Sequence, residues 1–463
     1  MDKRLQLSDL APGAHIHFIG IGGISMSGLA LVMLKKGYKV TGSDRARTHI
    51  TENLENHGAV ISLGHAAENV HGADLVVHTA AVHDDNPEMA EAKRLGLHLI
   101  DRAEFLGAIM REYHHAVGVA GTHGKTTTTS MLAHALINAG EDPTISLGGE
   151  LDLIGGNIRV GHSDCFVTEA CEYTNSFLKF FPTIALITNI EEDHLDFFSG
   201  IEEIRESFRR FAELTKGIGS VVAWGADENI RLALDGCGCD IHFYGIGRQF
   251  EYSAEPEYEH GLARFDVYRN DKKLCHLELN VPGEHNVLNA IAAIAVCDLM
   301  GADLEKAASG IEGFRGTHRR FERKGFVNGA EVIDDYAHHP TEIMATLKAV
   351  RDSGYKKVWC VFQPHTYTRT RTLWDEFVQA FDNVDELILV DIYAAREKYD
   401  GKTRSEDLAR DIALRGVHTR YCRSFSEAEE LLRRELKPGE LLLTMGAGNV
   451  VEIGEDLCGE KHN

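Results

Sequence analysis

The short aliphatic run Ala116-Val117-Gly118-Val119-Ala120 leads directly into Gly121-Thr122-His123-Gly124-Lys125-Thr126-Thr127-Thr128-Thr129, and Ser130-Met131-Leu132-Ala133-His134-Ala135-Leu136 continues with helical character. A strand that turns through two glycines into a helix belongs to an α/β sheet, with the turn at the carboxyl end of the strand. Glycines there let backbone N–H groups converge on phosphate oxygens, and the helix N-terminus adds positive potential. Lys125 can reach terminal phosphates and the Thr126 hydroxyl can ligate Mg2+. In the general pattern G-x-x-x-x-G-K-[ST] the first glycine would fall at Val119, so this loop is a variant that its companions must interpret.

At 463 residues the chain has room for about three domains. A formal net charge of -23 excludes a nucleic-acid or anionic-membrane surface, because backbone binding needs concentrated Lys and Arg. An anionic ligand must then be held by local donors. The 9 cysteines are scattered without a CxxC pair, and the start Met1-Asp2-Lys3-Arg4-Leu5 has no apolar leader region, which reads as a reduced, cytoplasmic protein. No apolar run reaches membrane-spanning length, and Ala290–Val296 reads as part of a buried helix.

The pattern restarts twice, predicting three α/β segments over 1–112, 113–315 and 316–463. Strands are expected at His15–Gly20, Lys39–Gly42 and Asp74–Thr79 in the first, and at Cys165–Glu169, Ile184–Thr188 and Ser220–Trp224 in the second. Residues from about 250 to 282 read as an antiparallel excursion, followed by a helix over Glu284–Met300. In the third, Lys357–Phe362, Glu386–Val390 and Glu440–Thr444 are the clearest strands. The fold class is α/β: a Rossmann-like N-terminal parallel sheet, a central phosphate-loop ATPase domain and a Rossmann-like C-terminal domain.

Several clusters carry chemistry. The turn Gly20-Ile21-Gly22-Gly23-Ile24-Ser25-Met26-Ser27-Gly28, with Asp44 about twenty positions on, resembles a dinucleotide fingerprint whose third glycine is replaced by Ser25. Taken alone it also fits a ligand-free strand-to-helix turn or a nicotinamide site; a nucleotide diphosphate is what the physics supports. Glu169 and His194 stand at expected strand ends, where oxygen ligands for Mg2+ belong, although His194 taken alone reads as a satisfied polar residue rather than a ligand. Glu172, Glu191 and Glu192 read as solvated loop acids. Asn286 and Asn289 share one helix face and could read an adenine edge, with a capping role competing for Asn286. Arg319-Arg320, Asp334–Glu342 and Gln363–Arg371 concentrate charge suited to carboxylate or phosphate recognition, or to surface ion pairs.

In order and spacing these segments resemble the Mur ligase family: HFIGIGG (His17–Gly23), GTHGKTTTT (Gly121–Thr129), EACEY (Glu169–Tyr173), EEDHLD (Glu191–Asp196), GEHNVLNA (Gly283–Ala290), DDYAHHPTEI (Asp334–Ile343) and FQPHTYTRT (Phe362–Thr370). The resemblance spans the whole chain and accounts for the displaced glycine. It implies ATP-dependent amide formation in peptidoglycan synthesis. The lactyl carboxylate of UDP-N-acetylmuramate takes the γ-phosphate of ATP, and L-alanine displaces phosphate from the acyl phosphate. It further implies that Gly121, Thr122, His123, Gly124, Lys125, Thr126, Thr127, Asn286, Asn289, Arg320 and Asp335 bind ATP. Catalytic roles fall to Lys125, Glu169, His194 and Arg320, with Thr126 and Glu169 at one Mg2+ and His194 at a second. Gly22, Gly23, Ser25, Met26 and Asp44 would bind the UDP-sugar, and Tyr336, His338, His365 and Arg369 the amino acid. A cytoplasmic monomer or weak homodimer is implied.

Two departures stand out. Members that act later in the pathway carry a carbamylated lysine supporting the second ion, whereas Phe208-Arg209-Arg210-Phe211 has none, and an arginine cannot form that carbamate. L-alanine-adding members often have a basic residue where this chain has Thr366. A ligase for an intact tripeptide shares the first motifs, but His365–Arg369 favours a single small amino acid. A later-step ligase or folylpolyglutamate synthetase does not fit the HFIGIGG start. A nicotinamide oxidoreductase leaves Lys125, Thr126 and Glu169 unexplained, and a nucleotide switch leaves the third segment's histidines and arginines unexplained.

Overall fold

Runs of aliphatic residues buried on both faces favour parallel strands covered by helices, and three such sheets form here. The computed structural model describes residues 5–79, 82–195, 197–395 and 397–459. The chain-start residues 1–4 and Asp196, which closes the EEDHLD motif, lie outside the described residues. The chain divides into two units: Met1–Gly245 with Phe250–Tyr252 and Ala292–Gly310, and Ile246–Gln249 with Ser253–Ile291 and Ile311–Asn463.

The first unit holds two sheets. β1 (His15–Ile19), β2 (Lys39–Asp44), β3 (Val60–Leu63), β4 (Leu75–His78) and β5 (His98–Asp101) lie in the order β3-β2-β1-β4-β5, all parallel. This is a doubly wound sheet whose order reverses at β1, so the crevice for a ligand opens at the carboxyl end of β1, where the Gly20–Gly28 turn begins. The second sheet contains β6 (His115–Ala120), β7 (Thr144–Leu151), β8 (Gly156–Arg159), β9 (Cys165–Glu169), β10 (Ile184–Ile187), β11 (Ser220–Trp224) and β12 (Asp240–Ile246). This part of an 11-stranded sheet has the order β8-β7-β9-β6-β10-β11-β12, parallel except for β7 against β8. Here the order reverses at β6, and the glycine loop follows β6 into the helix Lys125–Asn138.

One apolar core runs through both sheets of this unit, joining Phe18, Phe105 and Ile109 to Phe166, Phe177 and Phe211. The helix Arg102–Met110 packs closely enough that a Cβ on Gly107 would lie 2.0 Å from the Lys179 carbonyl oxygen.

In the second unit the excursion is as expected antiparallel: beyond β13 (Tyr252–Ala254), β14 (Glu257–Glu259) pairs with β15 (Leu262–Arg269), and β15 with β16 (Lys272–Glu278). The helix Glu284–Met300 follows, up to Ile291 in this unit and from Ala292 in the first, with Ala290–Val296 fully buried. The third sheet has β17 (Glu322–Val327), β18 (Ala330–Asp335), β19 (Val358–Phe362), β20 (Glu386–Leu389), β21 (Thr419–Tyr421) and β22 (Leu441–Met445) in the order β17-β18-β22-β19-β20-β21. Only β17 against β18 is antiparallel. All 9 cysteines are free thiols. Among the described residues no helix is long and apolar enough to cross a membrane.

Candidate functional site

The register of the central sheet places the acids around the loop. Val119 lies opposite Glu169 and Ala120 opposite Ile187, so the residues following β6, β9 and β10 emerge at one sheet end. Gly121 has φ +141°, and a Cβ there would sit 1.9 Å from the Thr188 hydroxyl; only glycine lets the loop approach β10 this closely. The loop is then strapped down. Thr188 Oγ1 donates to the His123 carbonyl at 2.6 Å, the His123 N–H donates to Asn189 Oδ1 at 2.8 Å, and the Glu191 N–H donates to Thr122 Oγ1 at 2.8 Å. Thr188 and Asn189 escaped sequence reading, since a strand end carries no pattern that marks such a strap.

Lys125 opens the helix and folds back over the loop, donating to the carbonyls of Gly121 and Thr122. Its Nζ lies 3.1 Å from Glu172 Oε2, with side-chain exposures of 16% and 3%. Burial alone would lower the Lys125 pKa, but the Glu172 carboxylate beside it reverses the direction and keeps the ammonium charged. Glu172 is therefore a buried ion-pair partner, correcting its reading as a solvated loop acid. The cause is local backbone: Glu172 precedes the 3-10 turn Tyr173–Lys179, where Thr174 and Asn175 adopt φ 54° and 57° and curl the segment. By contrast Glu192 is exposed and Glu191 half-buried.

Thr126 Oγ1 donates to Glu169 Oε2 at 3.1 Å, and the Gly148 N–H donates to Glu169 Oε1 at 2.7 Å. A hydroxyl and a carboxylate meeting at a helix start are the hard oxygen donors that Mg2+ takes beside phosphates, so these residues fit that ion. His194, with φ 53°, has Nε2 3.7 Å from Glu172 Oε1 and its ring 4.7 Å from that of Tyr173. Glu172 thus stands between Lys125 and His194. The lysine-free stretch is structural: Phe208 and Phe211 pack on Phe177, and Arg209 donates to the Asp235 carbonyl.

At the N-terminal turn Asp44 lies beside the glycines. The Gly22 N–H donates to Asp44 Oδ2 at 2.8 Å, and Ser25 Oγ accepts from Arg102 Nη1 at 3.0 Å. Gly23 caps the helix Ile24–Lys35, while the Met26 side chain is buried in the core below. Behind Asp44 lies a polar knot the sequence did not reveal. Fully buried Glu88 accepts from Ser43 Oγ at 2.6 Å and Asn69 Nδ2 at 2.5 Å, with His65 Nδ1 at 3.0 Å and His17 Nε2 at 3.8 Å. Burial opposes its ionisation, but these donors, His17 and Ser43 foremost, pull its pKa from 4.5 to about 2. With the folded value below the unfolded one, the stabilisation is complete above about pH 4.5 and is lost as pH falls toward 2. Glu88→Ala is expected to lower unfolding free energy at pH 7 by about 3 kcal/mol. In urea titrations the gap from wild type should shrink by more than half at pH 3.

In the second unit β18 and β19 flank β22, with Asp335 and Phe362 both opposite Met445, so the segments after them share one edge. This brings the four proposed amino-acid residues into one string. The Tyr336 and His338 rings are 5.4 Å apart, His338 and His365 5.7 Å, and His365 Nδ1 lies 3.2 Å from Arg369 Nη1. Thr366, at φ 66°, caps the helix Tyr367–Thr372 by accepting from the Arg369 N–H at 3.4 Å. Of the two adjacent arginines, Arg319 bonds buried Asp334 at 3.2 Å and the Gly446 carbonyl at 2.7 Å. Both guanidinium groups lie over the Tyr336 ring, at 5.0 and 4.9 Å, and Arg320 also faces Glu342 at 3.5 Å. Asp335 accepts from the N–H groups of Phe321 and Ala337, and burial pushes its carboxyl up to about 6. Asn289 Nδ2 donates to Asn286 Oδ1 at 3.3 Å, and Asn286 Nδ2 to the Pro282 carbonyl at 2.7 Å, so both amides are buried and anchored locally.

Three family descriptions match the chain in turn: the Mur ligase family catalytic domain over residues 15–114, the Mur ligase middle domain over 119–297, and the Mur ligase glutamate ligase domain over 319–448. A UDP-N-acetylmuramate–L-alanine ligase from Caldanaerobacter subterraneus subsp. tengcongensis is 51% identical over 454 residues, covering 98% of this chain and 99% of its own. A protein of the same name from Clostridium perfringens is 49% identical, covering 95% and 96%. Among solved structures, a UDP-N-acetylmuramate-alanine ligase from Thermotoga maritima superposes with TM-score 0.76 at 31% identity, covering 96% of this chain and 98% of that one. A murein peptide ligase from Psychrobacter arcticus gives 0.67 at 26% identity, covering 97% and 100%.

Proposed function

This chain belongs to the Mur ligase family, and from that premise we propose that it joins L-alanine to the lactyl carboxylate of UDP-N-acetylmuramate with ATP, releasing ADP and phosphate. The observation that carries the chemistry is Lys125 held charged on the loop by Glu172, beside the Thr126–Glu169 pair. Phosphoryl transfer asks little covalent work of a protein; it needs fixed positive charge and donors where charge develops. Lys125 supplies that charge to the γ-phosphoryl oxygens, and the Gly121–Thr127 backbone cradles the phosphates. Thr126 and Glu169 would hold one Mg2+ and His194 a second, which when bound neutralise phosphoryl and acyl-phosphate oxygens.

Gly22, Gly23, Ser25, Met26 through its backbone, and Asp44 are assigned to the UDP-sugar. Asn286, Asn289, Arg320 and Asp335 are assigned to the nucleotide, and Tyr336, His338, His365 and Arg369 to the amino acid. In the last group Arg369 suits the alanine carboxylate by bidentate hydrogen bonding. The domain borders at about 112 and 316, cytoplasmic location and a monomeric or weakly dimeric state complete the proposal.

The higher identity to relatives bearing the L-alanine ligase name favours a single amino acid over a peptide. A coupled phosphate-release assay tests both points. Turnover is expected only with ATP, UDP-N-acetylmuramate and L-alanine together, and to cease with EDTA. Full-rate ATP hydrolysis without either acceptor, or equal turnover with a tripeptide in place of L-alanine, would overturn the assignment.

A further inference from the structure

Within the second unit, a cavity of about 330 Å³ opens between the helix Tyr367–Thr372, the segments that leave β20 and β21, and the start of the helix Ser405–Leu414. None of Tyr336, His338, His365 and Arg369 lines it, so it is separate from the string assigned to the amino acid.

Its walls combine ring faces with one uncompensated carboxylate. Tyr367, Tyr399 and Tyr421 all line it. The first two have ring centroids 5.3 Å apart at 58°, an open corner rather than a stack, and Tyr399 is 56% exposed, so the core does not claim it. Faces of such rings attract cations. Tyr421 donates its hydroxyl to Asp391 Oδ1 at 2.5 Å, a neutral partner that leaves the charge of Asp391 in place. Among the described residues no Lys, Arg or His lies at ion-pair distance from Asp391, whereas Arg404 and Glu406, also in the wall, pair with each other and cancel.

Ser405 adds a hydrogen-bonding group. It lines the same cavity and is buried, yet its hydroxyl bonds to no group among the described residues. A buried hydroxyl normally has a partner, so this one calls for an explanation. Helix capping does not supply it: the cap position is Arg404, no side chain caps this helix, and Ser405 sits one residue too late. An anion would meet Asp391 here, and a quaternary ammonium would leave Ser405 unpaired. A cation that carries N–H groups satisfies the rings, the carboxylate and the hydroxyl together.

We propose that this cavity binds a small organic ammonium ion, a protonated aliphatic amine whose charge lies against Tyr367 and Tyr399 and whose N–H groups donate to Asp391 and to Ser405 Oγ.

NMR titration of the full-length protein with n-butylamine, which stays protonated at neutral pH as a lysine amine does, tests the assignment against its neutral isostere 1-butanol and against tetramethylammonium. The butylammonium ion is expected to bind about tenfold more tightly than 1-butanol, with tetramethylammonium between them because it keeps the charge and lacks the donors. Asp391→Asn and Tyr399→Leu should each weaken butylammonium about fivefold or more, and Ser405→Ala about threefold, while 1-butanol stays within about twofold. Tyr399 is a surface side chain, so its variant serves alone if the others do not fold. Saturating L-alanine should leave the amine bound. The proposal is overturned by equal affinity for butylammonium and 1-butanol, by full affinity in the Tyr399→Leu variant, or by displacement with L-alanine, which would place the amine in the amino-acid string. None of these outcomes bears on the ligase reading, which stands or falls by the phosphate-release assay.

Discussion

Lys125→Ala is expected to lower kcat by about a thousandfold or more, while affinity for UDP-N-acetylmuramate stays within about twofold of wild type. The reasoning runs from geometry to charge. The Lys125 ammonium is the first side chain of the loop helix, held by two loop carbonyls and Glu172, and no other Lys or Arg bonds to these loop carbonyls among the described residues. Removing it takes away a fixed cation that the groups proposed for the sugar nucleotide, at Gly22 to Asp44, do not use. Single-turnover ADP formation with UDP-N-acetylmuramate but no L-alanine reads the phosphoryl-transfer half-reaction directly. Lys125→Arg should not restore it, since a planar fork cannot replace a compact ammonium between two carbonyls. Loss of sugar-nucleotide affinity in a folded Lys125→Ala protein would contradict the division of roles between the two sheets of the first unit.

The strands and the glycine turns were legible because their causes are local. Unbroken aliphatic runs such as Val117–Ala120 and Ile184–Ile187 have few alternatives to a doubly covered parallel sheet, and the two carboxyl-end turns follow from strand order. Asp44 was legible for a related reason: parallel pairing of β1 with β2 brings the end of one beside the turn after the other. What escaped depends on tertiary burial or unusual backbone. Glu172 sits in a loop sequence with no periodicity, and only the left-handed Thr174–Asn175 pair turns it against Lys125. Glu88 lies on a helix whose pattern marks no face for a charge, yet its partners come from other segments, at His17, Ser43, His65 and Asn69. The Thr366 hydroxyl is a similar case. A departure in residue type was visible in the sequence, but its capping of Tyr367–Thr372 follows from a φ of 66° that a β-branched residue rarely adopts.

Glu172→Ala is expected to destabilise the protein by about 3 kcal/mol, because it leaves the Lys125 ammonium largely buried without its counter-charge. The two loop carbonyls remain to solvate the ammonium, which holds the cost toward the lower end of that for broken buried pairs. Replacing both partners, in Lys125→Met with Glu172→Leu, should recover most of the lost stability, since apolar side chains of similar volume need no pairing. Chemical denaturation of the two single variants and the double variant closes the cycle, with a coupling of about 2 kcal/mol or more expected for groups in direct contact. Activity should diverge from stability: the double variant folds with most of the wild-type stability yet transfers no phosphoryl group. A Glu172→Ala protein as stable as wild type would mean that water, not the carboxylate, solvates Lys125. The placement of Glu172 between Lys125 and His194 would then lose its electrostatic meaning.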